Sequence, residues 1–215
     1  MYSVKEIYYT VQGEGNHAGR PAVFLRFTGC NLWSGREKDR GKGPGGCSQW
    51  CDTNFVGVDG VGGGRFVSPH ALAGAVGRLW PMGTDGCTRG FVVCTGGEPL
   101  LQLDSSLLEA FEAIGFDVAA ETNGTQEVPR GRLWLTVSPK ANAPLRITTG
   151  NELKLVYPQD GMDPAEFSSL EFDHFFLQPM DGPQRVANTK RALDYCLSHP
   201  QWRLSLQTHK FIGIP

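Results

Sequence analysis

The chain has 215 residues, a formal net charge of −2 at pH 7, 40% hydrophobic residues, 28 glycines and six cysteines. That length carries one sizeable core and does not call for a second domain, and the near-neutral balance argues against a broad basic field for nucleic acid and against an acidic disordered tail. The first residues show no apolar signal-peptide core and no apolar run approaches ~18 residues, so a cytoplasmic chain with no membrane span is expected, and its clustered cysteines point to metal or chemistry rather than to disulfides.

In chain order, VKEIYYTVQ (4–12) and AVFLRF (22–27) read as strands. The stretch from Asn31 to Arg65 is rich in glycine, at 41–46 and 57–64, and is expected to be one long, loop-dominated insertion. Pro69 to Leu79 predicts a helix with Ser68 as N-cap and proline at its first position. FVVC (91–94) predicts a short buried strand, and Asp104 is placed to cap SSLLEAFEAIG, which ends at Gly115. DVAAE, LWLTVS, ELKLVY, HFFLQP and WRLSLQ predict further strands, and Asn188 to Leu197 a helix with its apolar side at Ala192, Leu193 and Cys196.

Short apolar strands alternating with helices or loops favour an α/β fold with a parallel sheet, and the helices are too few for a full eight-fold barrel. The expected architecture is a partial, reduced (β/α) barrel formed by residues 1–215 as a single domain, with a long loop at about 30–65. Polar residues follow the strands at their C-terminal ends: FVVC runs into TGGEP, DVAAE into TNG, LWLTV into SPK, HFFL into QPMD and WRLSL into QTHK. Ligands bind at that face of α/β sheets and barrels, so five segments are expected to converge on one site.

Cys30, Cys47 and Cys51 share the long loop in the spacing C-x16-C-x3-C. Three thiolates with no evident fourth leave a metal position open for substrate or cofactor. A zinc knuckle with a distant fourth ligand, His17 or His70, is the competing reading, because thiolates serve zinc and iron–sulfur alike. Cys94 on a buried strand and Cys196 on a helix read as core residues, and Cys87 is uncommitted.

Three cysteines after an early core strand, followed by GGEP after the next, resemble the radical S-adenosylmethionine (SAM) superfamily. Within it, the set VQGEG (11–15), RFTGCNLWSGRE (26–37), WCDTNF (50–55), TGGEP (95–99), ETNG (121–124), SPK (138–140), NELK (151–154), QPMDGP (178–183) and QTHK (207–210) with Pro215 resembles the 7-carboxy-7-deazaguanine synthase family of the queuosine pathway. The segments span nearly the whole chain. The family commonly ends its cysteine run in C-x2-C, so Cys47 is displaced by one residue here.

The resemblance implies a [4Fe–4S] cluster on Cys30, Cys47 and Cys51. It implies SAM against Gly97, Ser138, Pro139, Lys140, Gln178, Pro179, Met180 and Asp181, with Glu121 near the ribose. It implies a 6-carboxytetrahydropterin substrate held by Val11, Gln12, Gly13, Glu14, Arg26, Thr95 and Pro215. Mg²⁺ on Thr53, an external electron donor of the flavodoxin or ferredoxin type and a homodimer are also implied. The residues add their own reasons. Arg26 alternates with Leu25 and Phe27 on a strand heading to Cys30, and its planar fork matches a carboxylate. An α-carboxylate at Pro215 would accept two donors from an amino-pyrimidinone edge. Thr53 offers a hard oxygen suited to Mg²⁺ but too weak to hold it alone. Two rivals predict different chemistry: a glycyl-radical-enzyme activase acting on a protein, and a zinc-stabilised binding module with no catalysis.

Overall fold

The computed structural model describes residues 1–81 and 89–215, which places Cys87 outside the described residues. The strands are β1 (Tyr2–Val11), β2 (Pro21–Phe27), β3 (Gly64–Phe66), β4 (Gly90–Gly96), β5 (Phe116–Thr122), β6 (Trp134–Val137), β7 (Thr149–Tyr157), β8 (Glu171–Pro179) and β9 (Trp202–Leu204). The helices are α1 (Pro69–Gly77), α2 (Ser105–Ala113), α3 (Arg185–Ser198) and the short α4 (Thr208–Ile212). Among the described residues the strands form one sheet in the order β3-β1-β2-β4-β5-β6-β7-β8-β9. β1 runs antiparallel to β2 and β3, and every pair from β2 onward is parallel. The sheet is unclosed, an α/β partial barrel with only a few helices on its outer side. No helix among the described residues is long and apolar enough to cross a membrane.

Period-two alternation sorts the strand residues onto two faces. Val23, Leu25 and Phe27 of β2, Val92 and Cys94 of β4, Val118 and Ala120 of β5, and Leu153 and Leu155 of β7 share the main core with Leu72, Leu107 and Phe111 of α1 and α2. The opposite face carries a smaller cluster around Phe91, Val93 and Ala119 at one end. Toward the C-terminal ends of the strands it gives way to Arg26, Thr95, Glu121, Lys154 and Gln178.

The helix starts follow their caps. The Ser68 hydroxyl accepts from the Ala71 amide at 3.1 Å and Pro69 opens α1. Asp104 accepts from the Leu107 amide at 2.9 Å at the start of α2. Three expectations need correction. Gly64–Phe66, at the end of the expected loop, is an edge strand paired with β1. α3 begins three residues earlier than its apolar spacing predicts, and Leu193 is 42% exposed, because Asn188 and Ala192 are the positions facing the sheet. The last expected strand stops at Leu204, and Thr208 starts α4 instead of extending it.

Asp104 also receives the Tyr2 hydroxyl, 2.8 and 2.9 Å from its two oxygens, and so joins α2 to the first residue of β1. Asp104→Ala removes a cap and a half-buried hydrogen bond together, for an expected loss of ~2 kcal/mol. Tyr2→Phe should lose about half of that, ~1 kcal/mol. Urea unfolding of the two variants checks the difference.

Candidate active site

The five polar segments meet as expected. A cavity of about 480 Å³ opens at the C-terminal ends of the parallel strands, lined by Thr95, Gly96 and Gly97 after β4, Thr122 and Asn123 after β5, and Ser138 and Lys140 after β6. Gln178 from β8 and Gln207, His209 and Lys210 around α4 complete that side. The thiols of Cys30, Cys47 and Cys51 line the same cavity, as do Val11, Gln12 and Glu14 after β1, Arg26 on β2, Thr53 and Pro215.

Helical geometry explains the cysteine spacing. Gly46–Gln49 forms a 3₁₀ turn, and the Cys47 carbonyl accepts from the amides of both Trp50 (3.0 Å) and Cys51 (2.7 Å). Cys47 and Cys51 are therefore i and i+4 of one helical turn, which puts both side chains on the same side. The loop is tied outward by the Gly46 amide, which donates to the Ala141 carbonyl at 2.7 Å just past Lys140, and within itself by Arg40 Nη1, which donates to the Cys51 carbonyl at 3.3 Å. Asn31, next to Cys30, donates to the Thr125 hydroxyl at 2.8 Å and accepts from Asn123 Nδ2 at 3.1 Å.

Burial pushes the Cys47 thiol up to about 11, against the pull of the Lys140 charge, and burial pushes Cys30 up as well. Free thiols there are protonated at neutral pH, and a metal centre would displace those protons. Among the described residues no three His, Cys, Asp or Glu side chains converge closely enough to hold a single metal ion. A four-iron cube takes each protein thiolate on a separate iron, so its sulfurs stand farther apart than the ligands of one tetrahedral ion. Three thiolate donors beside an open cavity fit a [4Fe–4S] cluster that keeps one iron for a ligand. The histidines proposed as a fourth zinc ligand are elsewhere: His70 is exposed at the start of α1, and His17 packs 4.4 Å from the Trp134 ring.

Gly96 and Gly97 have a reason beyond ligand access. Gly96 has φ +133°, and a Cβ there would sit 2.2 Å from the Phe27 carbonyl oxygen. A Cβ on Gly97 would fall 2.0 Å from the Gly29 carbonyl and 2.8 Å from Cys30 Cβ. The two glycines let the Gly29–Cys30 segment that follows β2 lie directly against the GGEP turn.

Several expected contact residues stand behind the cavity wall rather than on it. Gly13 is covered by His209, and its carbonyl accepts from the Thr208 amide and hydroxyl at 3.0 and 2.9 Å. Pro139, Pro179 and Met180 do not line the cavity. Asp181 is engaged by Lys210, whose Nζ lies 2.6 Å from both Asp181 and Asp52. Lys140 donates to the Ser138 carbonyl and hydroxyl at 2.7 and 2.6 Å. Gln178 lines the cavity, and its side-chain carbonyl is buried without a partner among the described residues. Pro215 closes the mouth, its carbonyl accepting from Thr10 at 3.2 Å.

Reading the sequence missed a charged group on the cavity floor. Lys154, 4% exposed, pairs with Glu14 and lies 3.5 Å from Glu121. The signal was present as NELK, but a lysine in a strand with no visible partner reads as a surface residue. Glu98 was likewise read only as part of GGEP. It is fully buried, and it accepts from the Leu100 amide, the Thr122 hydroxyl and the Asn123 amide at 3.0, 2.7 and 2.7 Å.

A reduced parallel barrel with three loop thiols and a glycine-lined strand-end cavity is the arrangement of a radical SAM enzyme, whose cofactors are a [4Fe–4S] cluster and SAM. The chain is 56% identical to the 7-carboxy-7-deazaguanine synthase of Burkholderia multivorans and 58% identical to that of Caulobacter vibrioides, each match spanning 100% of this chain and 99% of the relative. The corresponding protein of Escherichia coli is 31% identical over the same share of both chains. The crystal structure of QueE from Escherichia coli superposes with a TM-score of 0.68 at 26% identity, covering 95% of this chain and 93% of that one. No protein-family model matches. The chain belongs to the 7-carboxy-7-deazaguanine synthase family, which sets aside the activase and zinc-module readings.

Gly97→Ala should force the Gly29–Cys30 segment off the GGEP turn, an overpacking cost of ~1–3 kcal/mol. Anaerobic reconstitution should then give an iron content well below that of the unaltered protein. A variant with full iron and an unchanged thermal midpoint would show that the turn yields freely.

Proposed function

We propose that this chain converts 6-carboxy-5,6,7,8-tetrahydropterin to 7-carboxy-7-deazaguanine, with hydrogen abstraction at C6, ring contraction and loss of ammonia. The observation that carries the reading is the meeting of three loop thiols with the polar ends of five strands in one pterin-sized cavity, in a chain more than half identical to named synthases over its full length. The residues 1–215 act as one catalytic unit.

When bound, the cluster and SAM supply the 5′-deoxyadenosyl radical that takes the hydrogen. Cys30, Cys47 and Cys51 would hold the cluster and leave one iron for the amino and carboxylate groups of SAM. Ser138, Lys140 and Gln178 present a hydroxyl, an ammonium and an unpaired amide oxygen to SAM's polar groups, and Gly97 leaves room beside them. Pro139, Pro179, Met180 and Asp181 shape those two loops from behind.

Arg26 is the substrate-carboxylate partner. Its Nε donates to Glu6 at 2.7 Å and an Nη2 hydrogen to the Tyr8 hydroxyl at 3.1 Å. Those bonds fix the guanidinium plane and leave its outer edge, Nη1 and Nη2, for two carboxylate oxygens. Val11, Gln12, Glu14, Thr95 and Pro215 surround the ring, and Gly13 positions Gln12 and Glu14 through its bonds to Thr208. Thr53 would offer a hydroxyl to a Mg²⁺ whose remaining ligands come from substrate and water. The electron donor is an external protein of the flavodoxin or ferredoxin type. The assembly is a homodimer, for which exposed Val186 and Leu197 on α3 and Phe211 and Ile212 on α4 supply apolar surface. The compartment is the cytoplasm.

Anaerobic incubation with SAM, dithionite and the pterin should yield the deazaguanine and ammonia, and no product from the reconstituted protein would overturn the reading. Arg26→Ala should raise the pterin KM by about 10–100-fold, the worth of a charged hydrogen-bonded pair. Its iron content should stay unchanged, whereas iron loss would place Arg26 in a structural role.

A further inference from the structure

Lys154 projects from the middle of β7 onto the cavity floor, where its ammonium meets carboxylates from two other segments: Glu14 after β1 and Glu121 at the end of β5. The acids are knitted into a wider network. Gln207 donates to Glu14 Oε1 at 3.0 Å, so Lys154 and Gln207 engage the two oxygens of Glu14 separately. Gln12 Nε2 donates to Glu121 Oε1 at 3.0 Å, while Gln12 Oε1 accepts from the Glu14 amide at 3.1 Å. One lysine thus fixes the acids on both sides of Gln12 and, through them, the turn that reads the pterin ring. The three charges sum to −1 on a floor lined by the cavity.

We propose that Lys154 is a positioning residue for the reaction, holding Glu14 and Glu121 as a pair of acceptor carboxylates against the N–H edge of the pterin. The inference rests on the functional reading above. A tetrahydropterin offers ring N–H donors beyond the pair assigned to Pro215, and an ionised carboxylate is acceptor-only, whereas a protonated one presents an O–H of its own. Two carboxylates in one low-dielectric site do not both stay ionised without a cation, and one retains a proton into the neutral range. Lys154 removes that conflict. Burial by itself would push the Glu14 carboxyl up, but the charge and hydrogen bond of Lys154, together with Gln207 and His209, hold it below the ordinary range. Burial by itself would pull Lys154 down, and Glu121 and Glu14 instead hold its ammonium well above the usual lysine range.

Other charged groups face the trio. Glu152 lies two residues along β7, Lys140 approaches from the loop after β6, His209 from α4, and Tyr8 from β1 beside Glu6 and Arg26. All of them remain in a Lys154 variant, so a pH effect that appears only on its removal belongs to the acid pair.

The test measures pterin KM from pH 6.5 to 9 in the reconstituted holoenzyme for the unaltered protein, Lys154→Met, Lys154→Arg and the double variant Lys154→Met/Glu121→Gln. In Lys154→Met the shared proton makes one acceptor a donor. KM should rise at least about ten-fold at pH 7 and fall back as pH climbs and the proton leaves. Iron content and SAM affinity should stay at the level of the unaltered protein. Lys154→Arg should return the pH profile to that of the unaltered protein. The double variant loses a cation and an anion together, so its profile should match in shape and its KM should lie below that of Lys154→Met at pH 7. It carries the test alone if the single variant does not fold, because the inference then requires it to bind pterin with that pH profile. An unchanged KM in Lys154→Met, or a rise with no added pH dependence that Arg does not rescue, overturns the inference. Failure of the unaltered protein to turn over the pterin at all would instead overturn the functional reading.

Discussion

The Glu98 side chain is fully buried, and its two oxygens accept from the Leu100 amide, the Thr122 hydroxyl and the Asn123 amide. A carboxylate taken out of water costs several kcal/mol unless its lone pairs are satisfied, so the group is tolerable only where donors have already been gathered. Burial pushes its carboxyl above the ordinary range, and those three donors, with the Lys140 charge, pull it back. The same residue's amide donates to the Gly29 carbonyl at 2.9 Å. One side chain and one amide therefore lock together the ends of β2, β4 and β5. Cys30 follows β2, the glycines sit at the end of β4, and Asn123, which holds Asn31, follows β5. The tie fixes Gly29 and, with it, the start of the segment that carries Cys30.

Charge on the cavity wall is arranged in small, locally compensated groups. Arg26 faces Glu6, Lys154 faces Glu14 and Glu121, and Lys210 faces Asp52 and Asp181. Each cation fixes the plane or reach of its acids; the buried Lys154 group is worth more than the exposed Lys210 pairs, which water screens. The last pair also connects the cluster loop to the segment after β8. A site assembled this way binds a zwitterionic cofactor and an anionic, donor-rich substrate without a strong net field of either sign.

The fold was legible wherever one physical rule dominated. Strand alternation, the Ser68 and Asp104 caps and the polar residues after each parallel strand led to the sheet and to the mouth of its cavity. Arg26 points into the cavity as its alternation with Leu25 and Phe27 requires. What escaped was set by long-range partners. Leu193 fits an apolar helix face, but α3 is rotated so that Asn188 and Ala192 meet the sheet, and Asn188 is held by a bond to the Met180 carbonyl at 2.9 Å. Lys154 and Glu98 look like surface charges until partners 140 and 25 residues away are known. The C-x3-C spacing follows a helical turn in which the Cys47 carbonyl accepts from both Trp50 and Cys51.

The segment after β9 shows how the site depends on the whole sheet. Gln207 binds Glu14, Thr208 binds Gly13, and Lys210 binds Asp52 and Asp181, so three residues of this segment touch loops that leave β1, β2 and β8. None of these partners is near in sequence except Asp181. Closing such loops costs chain entropy that only accumulated contacts repay. The glycine-rich loop is held by Ala141, Lys210 and the bonds of Asn31, and by its own buried Leu32, Trp33 and Phe55. A metal centre on these cysteines is therefore supported by the tertiary fold more than by the local turn that spaces them.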